Sequence, residues 1–471
     1  MSGVVGPRLP KYINTYSMDF DGVDDYVNLG NDNSLDIFGG DFTISLWAKW
    51  GNQLSNSNGL VNFGGSTNKA LVSLGFGTEY GKISFGIGNS TTLGILYDMG
   101  SGYNDNQWHS IICKITSGVR AVYVDGIDIT NVSNGVIFVE NNNTIGARSV
   151  GGQNRHFNGS IDEVSLYDKA LTFEEISNIS TAPKDLTSLN PLLWYRMGDN
   201  GAYKSPQWLL PSNENKDKLS NYSFELDGID DYVNCGNASD FDFDADDAFS
   251  ISVWFKRESN VNAVAVVDKS LGAPNYSGYM FFIYNNKVYF RIRQNSSLQH
   301  QINNNNTHPF NTWVHYVVTY DGSRAGSAGG LNIYQDGALQ TSVTRTGNFA
   351  TGTAQTSADF SIGSQDSTLS LNFIGGIDEP SVFNSELSAS QINDIYNGGE
   401  PTTISGAVAH YKMGEEATFS GGVWTVPDQI GTNDGTSNAM TIEDRVGSAP
   451  SSENNAVTIN MDLIDRVEDT P

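Results

Sequence analysis

Hydrophobic and polar residues alternate in short runs along most of the 471-residue chain. In FTISLWAKW, residues Phe42, Ile44, Leu46 and Ala48 share one face, and Thr43, Ser45, Trp47 and Lys49 share the other. That period of two predicts a half-buried β-strand. VYVDGIDI reads as a strand, an Asp125-Gly126 turn and a returning strand, because Asp-Gly tolerates the positive φ angles of a tight hairpin. Helix signals are confined to one short segment per half. Thr172 stands three residues before Glu175, and Ser388 three before Gln391. Each pair is a capping box, whose side chains satisfy the orphan amide donors of a helix start. Gly398-Gly399 ends the second helix. Many short strands and one terminal helix per unit predict an all-β sandwich.

The pattern occurs twice. YSMDFDGVDDYVNLGN from Tyr16 returns as YSFELDGIDDYVNCGN from Tyr222, and FTISLWAKW returns as FSISVWFKR from Phe249. The strand around Trp108 matches that around Trp313, Asp125-Gly126 matches Asp336-Gly337, and FNGSIDEVSLYDKAL matches FIGGIDEPSVFNSEL. So many matches in one order mark an internal duplication. The segment after each copy also repeats, aligning Met197-Gly198 with Met413-Gly414 and Trp208 with Trp424. The expected organisation is an arm (1–15), a first domain (16–181), a linker (182–221), a second domain (222–400), then the repeated linker with a polar tail (401–471). The tail either caps the protein or docks onto a neighbour.

The ordered set FDGVDDYVNLG, FTISLWAKW, a Trp-His strand, VYVDG and GSIDEVSLYDKAL resembles the laminin G-like domain of the concanavalin A-like lectin/glucanase superfamily. The second copy resembles it equally well. The resemblance implies two jelly-roll sandwiches in tandem, each of two antiparallel sheets. It leaves activity open, since this scaffold hosts lectins, adhesion modules and hydrolases. The segment HYKMGEEATF, with the PDQIGTNDGTSNAMTIEDRVGSAP that follows its tryptophan, is similar to linkers in laminin G-like proteins of marine bacteriophages. That likeness implies a virion location with other virion proteins as partners; an extracellular or cell-surface location is the alternative.

Charge narrows the partners. With 26 basic and 53 acidic residues the formal charge is −27, a field that repels phosphate backbones and argues against nucleic acid. No run approaches the roughly 18 apolar residues of a membrane helix, so no membrane insertion is expected. The N-terminal stretch lacks the apolar segment of roughly 7–15 residues of a signal peptide, and export by the general secretory route is not expected. Cys113 and Cys235 occupy unrelated positions of the two copies and read as reduced thiols. An oligomer remains open.

Three kinds of site are worth testing. Glu225 and Asp227, with Asp230 beyond, approach the alternating carboxylates of some glucanases; the first copy offers Asp19, Asp21 and Asp24. The first copy's set is shorter throughout, Asp230 falls in a turn, and the resemblance implies a hairpin at this domain start instead of the catalytic strand, so the expectation is a non-enzymatic protein. The resemblance implies a structural Ca2+ between the first hairpin and the final strand, matching Asp21 with Asp162 and Asp227 with Asp378; turn capping by the same aspartates is the alternative. For sugar contacts, aromatic residues at non-repeated positions stand out: Trp50, Tyr80, Tyr103, Tyr276 and Tyr279. Trp47, Trp108, Trp254 and Trp313 recur on strands and are expected in the core. The expected function is virion decoration or adhesion through host surface glycans. A bacterial extracellular glycan-binding module and a glycoside hydrolase or lyase are the alternatives.

Overall fold

The computed structural model describes residues 12–30, 39–51, 58–64, 69–76, 79–88, 93–99, 102–130, 132–138, 143–150, 153–259, 263–272, 274–323, 329–347, 354–365 and 371–471. It divides into two compact units, one of residues up to 216 together with 454–471, the other of residues 217–453.

Among the described residues, each unit holds an eight-stranded and a ten-stranded antiparallel sheet. In the second unit the central strand Phe249–Arg257 lies between Trp313–Tyr320 and Ile374–Phe383. Its alternation turns Ile251, Val253 and Phe255 inward, where they are fully buried. The facing sheet contributes Phe281, Ile283, Phe290 and Ile302 to the same core. The first unit repeats the scheme: Phe42, Ile44, Leu46 and Ala48 enter one core with Val72, Ile83 and Phe85. The period of two thus sorts each strand into a core face and an outer face.

Both predicted helices form with their capping boxes closed, Phe173–Ile179 under Thr172 and Ala389–Tyr396 under Ser388. Each packs on the outer face of its eight-stranded sheet. Ile176 and Ile179 meet Ile112, Tyr123 and Trp194, while Ile392 meets Val317 and Phe383. The outer face of the ten-stranded sheet carries no such helix among the described residues of either unit.

The expected linkers are structural instead. Gln207–Leu210 and Val423–Val426 are strands of the ten-stranded sheets, and Leu193–Tyr195 and Ala409–His410 pair with Asn158–Tyr167 and Ile374–Phe383. The tail belongs to the first unit. Ala456–Ile459 lies between Tyr26–Asn28 and Gln207–Leu210, and Arg466–Val467 pairs with Ser17–Asp21. In the second unit the equivalent neighbours, Val423–Val426 and Gly435–Asn438, follow one another directly in the chain. The second domain is therefore inserted where its own copy has a short turn.

Candidate functional site

The strand Lys287–Arg293 alternates cleanly. Val288, Phe290 and Ile292 enter the core, leaving Lys287, Tyr289, Arg291 and Arg293 on the outer face of the ten-stranded sheet. On the neighbouring strand Gly278–Tyr284, the inward set is Tyr279, Phe281 and Ile283, and the outward set is Met280, Phe282 and Tyr284. Register joins the two strands to a third, Gln299–Asn304. Phe282 lies opposite Tyr289 and then Asn303; Met280 lies opposite Arg291 and then Gln301; Arg293 lies opposite Gln299.

These side chains form a continuous face of rings and planar hydrogen-bonding groups. The Phe282 and Tyr289 rings stack with centroids 5.1 Å apart, and Tyr284 meets Tyr289 edge-on at 5.9 Å. The Arg291 guanidinium lies 4.8 Å from the Phe282 centroid, and that of Arg293 lies 5.2 Å from Tyr276. Arg293 Nε donates to Gln299 Oε1 at 3.1 Å. Burial and the neighbouring Arg293 push Arg291 down to about 10, and burial lowers Arg293. Rings that cover apolar faces, beside amides and guanidinium groups that bond hydroxyls, can bind flat polar ligands. The first unit presents Leu71, Ser73, Ser84 and Gly86 on the corresponding outer face, opposite the core residues Ala70, Val72, Ile83 and Phe85.

Of the five aromatic residues expected to contact ligand, Tyr276 belongs to this face. Trp50 is buried in the first core and Tyr279 in the second, where its hydroxyl donates to Phe241 O at 3.1 Å. Tyr103 packs on the first core, edge-on to His109 at 5.0 Å. The side chain of Tyr80 lies outside the described residues. Non-repetition did not mark exposure, because Trp50 and Tyr279 sit at or next to inward strand positions. Phe282, Tyr289, Arg291 and Arg293 were missed. The signal was the outward half of KVYFRIR, which is basic and aromatic instead of acidic.

The acidic residues fall into different places than expected. Register pairs Asp21 with Asn158 and Asp227 with Ile374, so Asp162 and Asp378 lie four residues, about 13 Å, further along their strands. Asp162 and Asp378 are instead fully buried, accepting from Asn14 Nδ2 at 2.8 Å and Ser220 Oγ at 2.7 Å. The residues that do gather are Asp21, Asp24 and Asp25, and Asp227, Asp230 and Asp231, each trio with carboxylate oxygens within 4.8 Å of one another. Turn chemistry explains part of this: Asp21 Oδ1 accepts from Val23 N at 2.7 Å, and Asp25 Oδ2 from Asp21 N at 3.0 Å. Burial, then the charges of Asp21, Asp465 and Asp24, push Asp25 up to about 7; Asp231 is raised likewise. Oxygen-only donors of this kind suit a hard divalent cation, so these trios could hold Ca2+.

The carboxylates considered for catalysis are engaged elsewhere. Glu225 is hydrogen-bonded to Glu258, and burial together with that neighbour raises it to about 7. Glu258 also meets Lys256 Nζ at 3.3 Å. In the first unit, Asp19, Asp21 and Asp469 line a hollow of about 350 Å³. There Asp19 accepts from Ser160 Oγ at 2.8 Å, and Asp469 pairs with Lys49 and the Trp108 indole.

Comparison with known proteins places the chain. A family model described as the concanavalin A-like lectin/glucanases superfamily matches residues 21–177 and 227–393, well over half of the 471 residues. No curated protein matches. Among solved structures, domains LG4-5 of the mouse laminin α1 chain are 11% identical, cover 86% of this chain and 98% of theirs, and give a TM-score of 0.27. A candidate carbohydrate binding protein from Bacteroides ovatus is 11% identical over 93% of this chain and 95% of its own, with a TM-score of 0.35. Domain 4 of AbnA, an extracellular arabinanase from Geobacillus stearothermophilus solved with arabinotriose, is 17% identical over 32% and 69%, at 0.24.

Proposed function

The chain belongs to the concanavalin A-like lectin/glucanases superfamily, and we propose that it binds glycans without turning them over, through the outer face of the ten-stranded sheet of its second unit. The observation that carries this reading is the edge-on Tyr284–Tyr289 pair, seated on the buried Phe282 ring and flanked by Arg291, Arg293, Gln299 and Gln301, on a sheet face with no packed helix among the described residues. The engagement of Glu258 by Lys256 Nζ at 3.3 Å, beside Glu225, supports binding over hydrolysis. Tyr289→Ala is expected to weaken binding on a glycan array about five- to twelvefold, as loss of one ring–sugar contact worth about 1–1.5 kcal/mol would do. A wild-type chain that binds no glycan, or one that releases reducing ends from a bound polysaccharide, would refute the reading. The proposed setting is the virion surface implied by the linker likeness, with host surface glycans as ligands; mass spectrometry of purified particles tests it.

Calcium is proposed as a structural ion of both units. The reading is supported by the same aspartate trio recurring at equivalent positions, Asp21, Asp24 and Asp25 in one unit and Asp227, Asp230 and Asp231 in the other. Added Ca2+ is expected to raise both melting transitions by several degrees, as any ligand bound only to the folded state does. Asp24→Asn with Asp25→Asn is expected to remove the shift of the first unit alone. Equal melting in Ca2+ and in chelator would end this proposal.

A further inference from the structure

We infer that the ligand of this face is a polyanionic glycan, carrying carboxylate or sulfate groups that the Arg291 and Arg293 guanidinium groups receive. This deepens the glycan-binding reading and presupposes it. The observation is an imbalance. The chain carries a formal charge of −27, with twice as many acidic as basic residues, so an arginine here has abundant acids to pair with. Several other arginines find oxygen partners, though Arg466 rests on the Tyr16 and Trp208 rings. Arg196 pairs with Glu163 at 3.5 Å and Asp199 at 3.3 Å. Arg257 donates to Asn286 Oδ1 and His308 O, Arg345 to Leu331 O, and Arg445 to Gly414 O and Ala417 O.

Arg291 departs from that pattern, and Arg293 beside it has only a single neutral acceptor. Among the described residues, Arg291 donates to Met280 Sδ at 3.9 Å and rests on the Phe282 ring. Arg293 has one neutral acceptor, Gln299 Oε1, and the Tyr276 ring. Neither forms an ion pair with a described residue. The nearby carboxylate of Asp268 favours the Arg291 charge, but its oxygens accept from Ser270 N and Ser270 Oγ. Two half-buried cations two residues apart on one strand face stand about 7 Å from each other. Among the described residues neither gains a counter-charge for the hydration it loses, which destabilises the free protein.

Rings beneath both guanidinium groups hold them in place, leaving the forked N–H edges to meet carboxylate or sulfate oxygens in paired bonds. The flanking half-buried Tyr289 ring and the exposed Tyr284 ring suit a sugar ring, with the buried Phe282 as their support, and this selects an acidic glycan over an acidic peptide.

The test uses the full-length protein and titration calorimetry with three probes: dextran, dextran sulfate and polygalacturonate. Binding of dextran sulfate, of polygalacturonate, or of both, without binding of dextran, is expected. The affinity should fall as NaCl rises from roughly 20 to 300 mM, because charge pairing is screened. Arg291→Gln with Arg293→Gln is expected to cost at least tenfold on the polyanion and leave the melting temperature of the second unit within a few degrees. Should that pair disturb folding, Gln301→Glu sets a carboxylate opposite Arg291 and is expected to abolish polyanion binding. Equal binding of dextran and dextran sulfate, tighter binding of duplex DNA, or polyanion binding unchanged in both variants would overturn the polyanion assignment. If neutral glycans still bound through Tyr289, the glycan reading itself would stand. Absence of binding to any glycan would remove both.

Discussion

A chain ending at Glu453 is expected to lose the fold of its first unit and keep that of its second. The missing residues supply Ala456–Ile459, which lies between Tyr26–Asn28 and Gln207–Leu210. Without it both neighbours become sheet edges with unpaired donors and acceptors. Side-chain anchors go too. Trp208 N donates to Thr458 Oγ1 at 2.8 Å, Trp208 Nε1 to Asp462 O at 2.7 Å, Ser212 N to Asn455 Oδ1 at 2.8 Å, and Tyr195 Oη to Asn454 O at 2.6 Å. Ala456, Val457, Ile459 and Met461 are almost fully buried. Burying each large apolar side chain contributes about 1.5–3 kcal/mol, so the loss rivals the whole stability of a typical domain, about 5–15 kcal/mol. Calorimetry of the intact protein should show two transitions, and of the truncated chain only the one belonging to 217–453. Limited proteolysis should then spare that fragment and degrade residues before it. The reciprocal chain, with 213–453 replaced by a short turn, is expected to fold as the first unit alone. Two transitions surviving in the truncated chain would contradict the nested arrangement.

What the sequence made legible was local chemistry. Capping boxes at Thr172 and Ser388, Asp-Gly turns and the alternation from Phe42 each involve residues within one turn or strand of each other, so their outcome needs no distant partner. Gln207–Leu210 and Ala456–Ile459 are different. Each is short, and although Gln207–Leu210 also forms a local hairpin with Ala202–Lys204, the pairing that carries both into the sheet spans some 250 residues, beyond a whole domain. Nothing local distinguishes such a strand from a linker. The candidate face was half legible. Alternation in KVYFRIR assigns Arg291 and Arg293 to one side, but their significance depends on Phe282 and Gln299 arriving from neighbouring strands. Burial of Trp50 and Asp378 was set by packing that the chain's own order does not announce.

Raising the pH from 6.5 to 8.5 is expected to lower the melting temperature of both units, most clearly that of the second. Burial, then the charge of Glu379, push Glu415 up to about 8. Burial, then Glu258, raise Glu225 to about 7. In the first unit burial raises Glu163 to about 7, even though Tyr12, Trp194 and Arg196 pull it back. An unfolded glutamate titrates near 4.3. Above that pH the native protein holds protons that the unfolded chain has released, so stability falls with rising pH until the native groups titrate. Two histidines act the other way. His308 and His315 are pushed down to about 3 by burial, and an unfolded histidine charges below about 6.5. Their contribution is lost as the pH falls through that range. The slopes oppose each other between about 4 and 6.5; above 6.5 the carboxyl groups act, joined in the first unit by His109, which against its burial is raised by its bonds to Asp125 and Asp105. Glu415→Gln separates the causes. Glu415 Oε1 accepts from Tyr222 N at 2.8 Å and from Asn221 N, which an amide oxygen can also do. The variant copies the protonated acid, so it should match the wild type at pH 5.5 and melt higher at pH 8.5. Each kcal/mol is worth about 2–4 °C in a domain of this size. A wild-type melting temperature flat across this range, or a glutamine variant that melts lower at pH 8.5, would mean that the native fold holds Glu415 ionised beside Asp378 and Glu379.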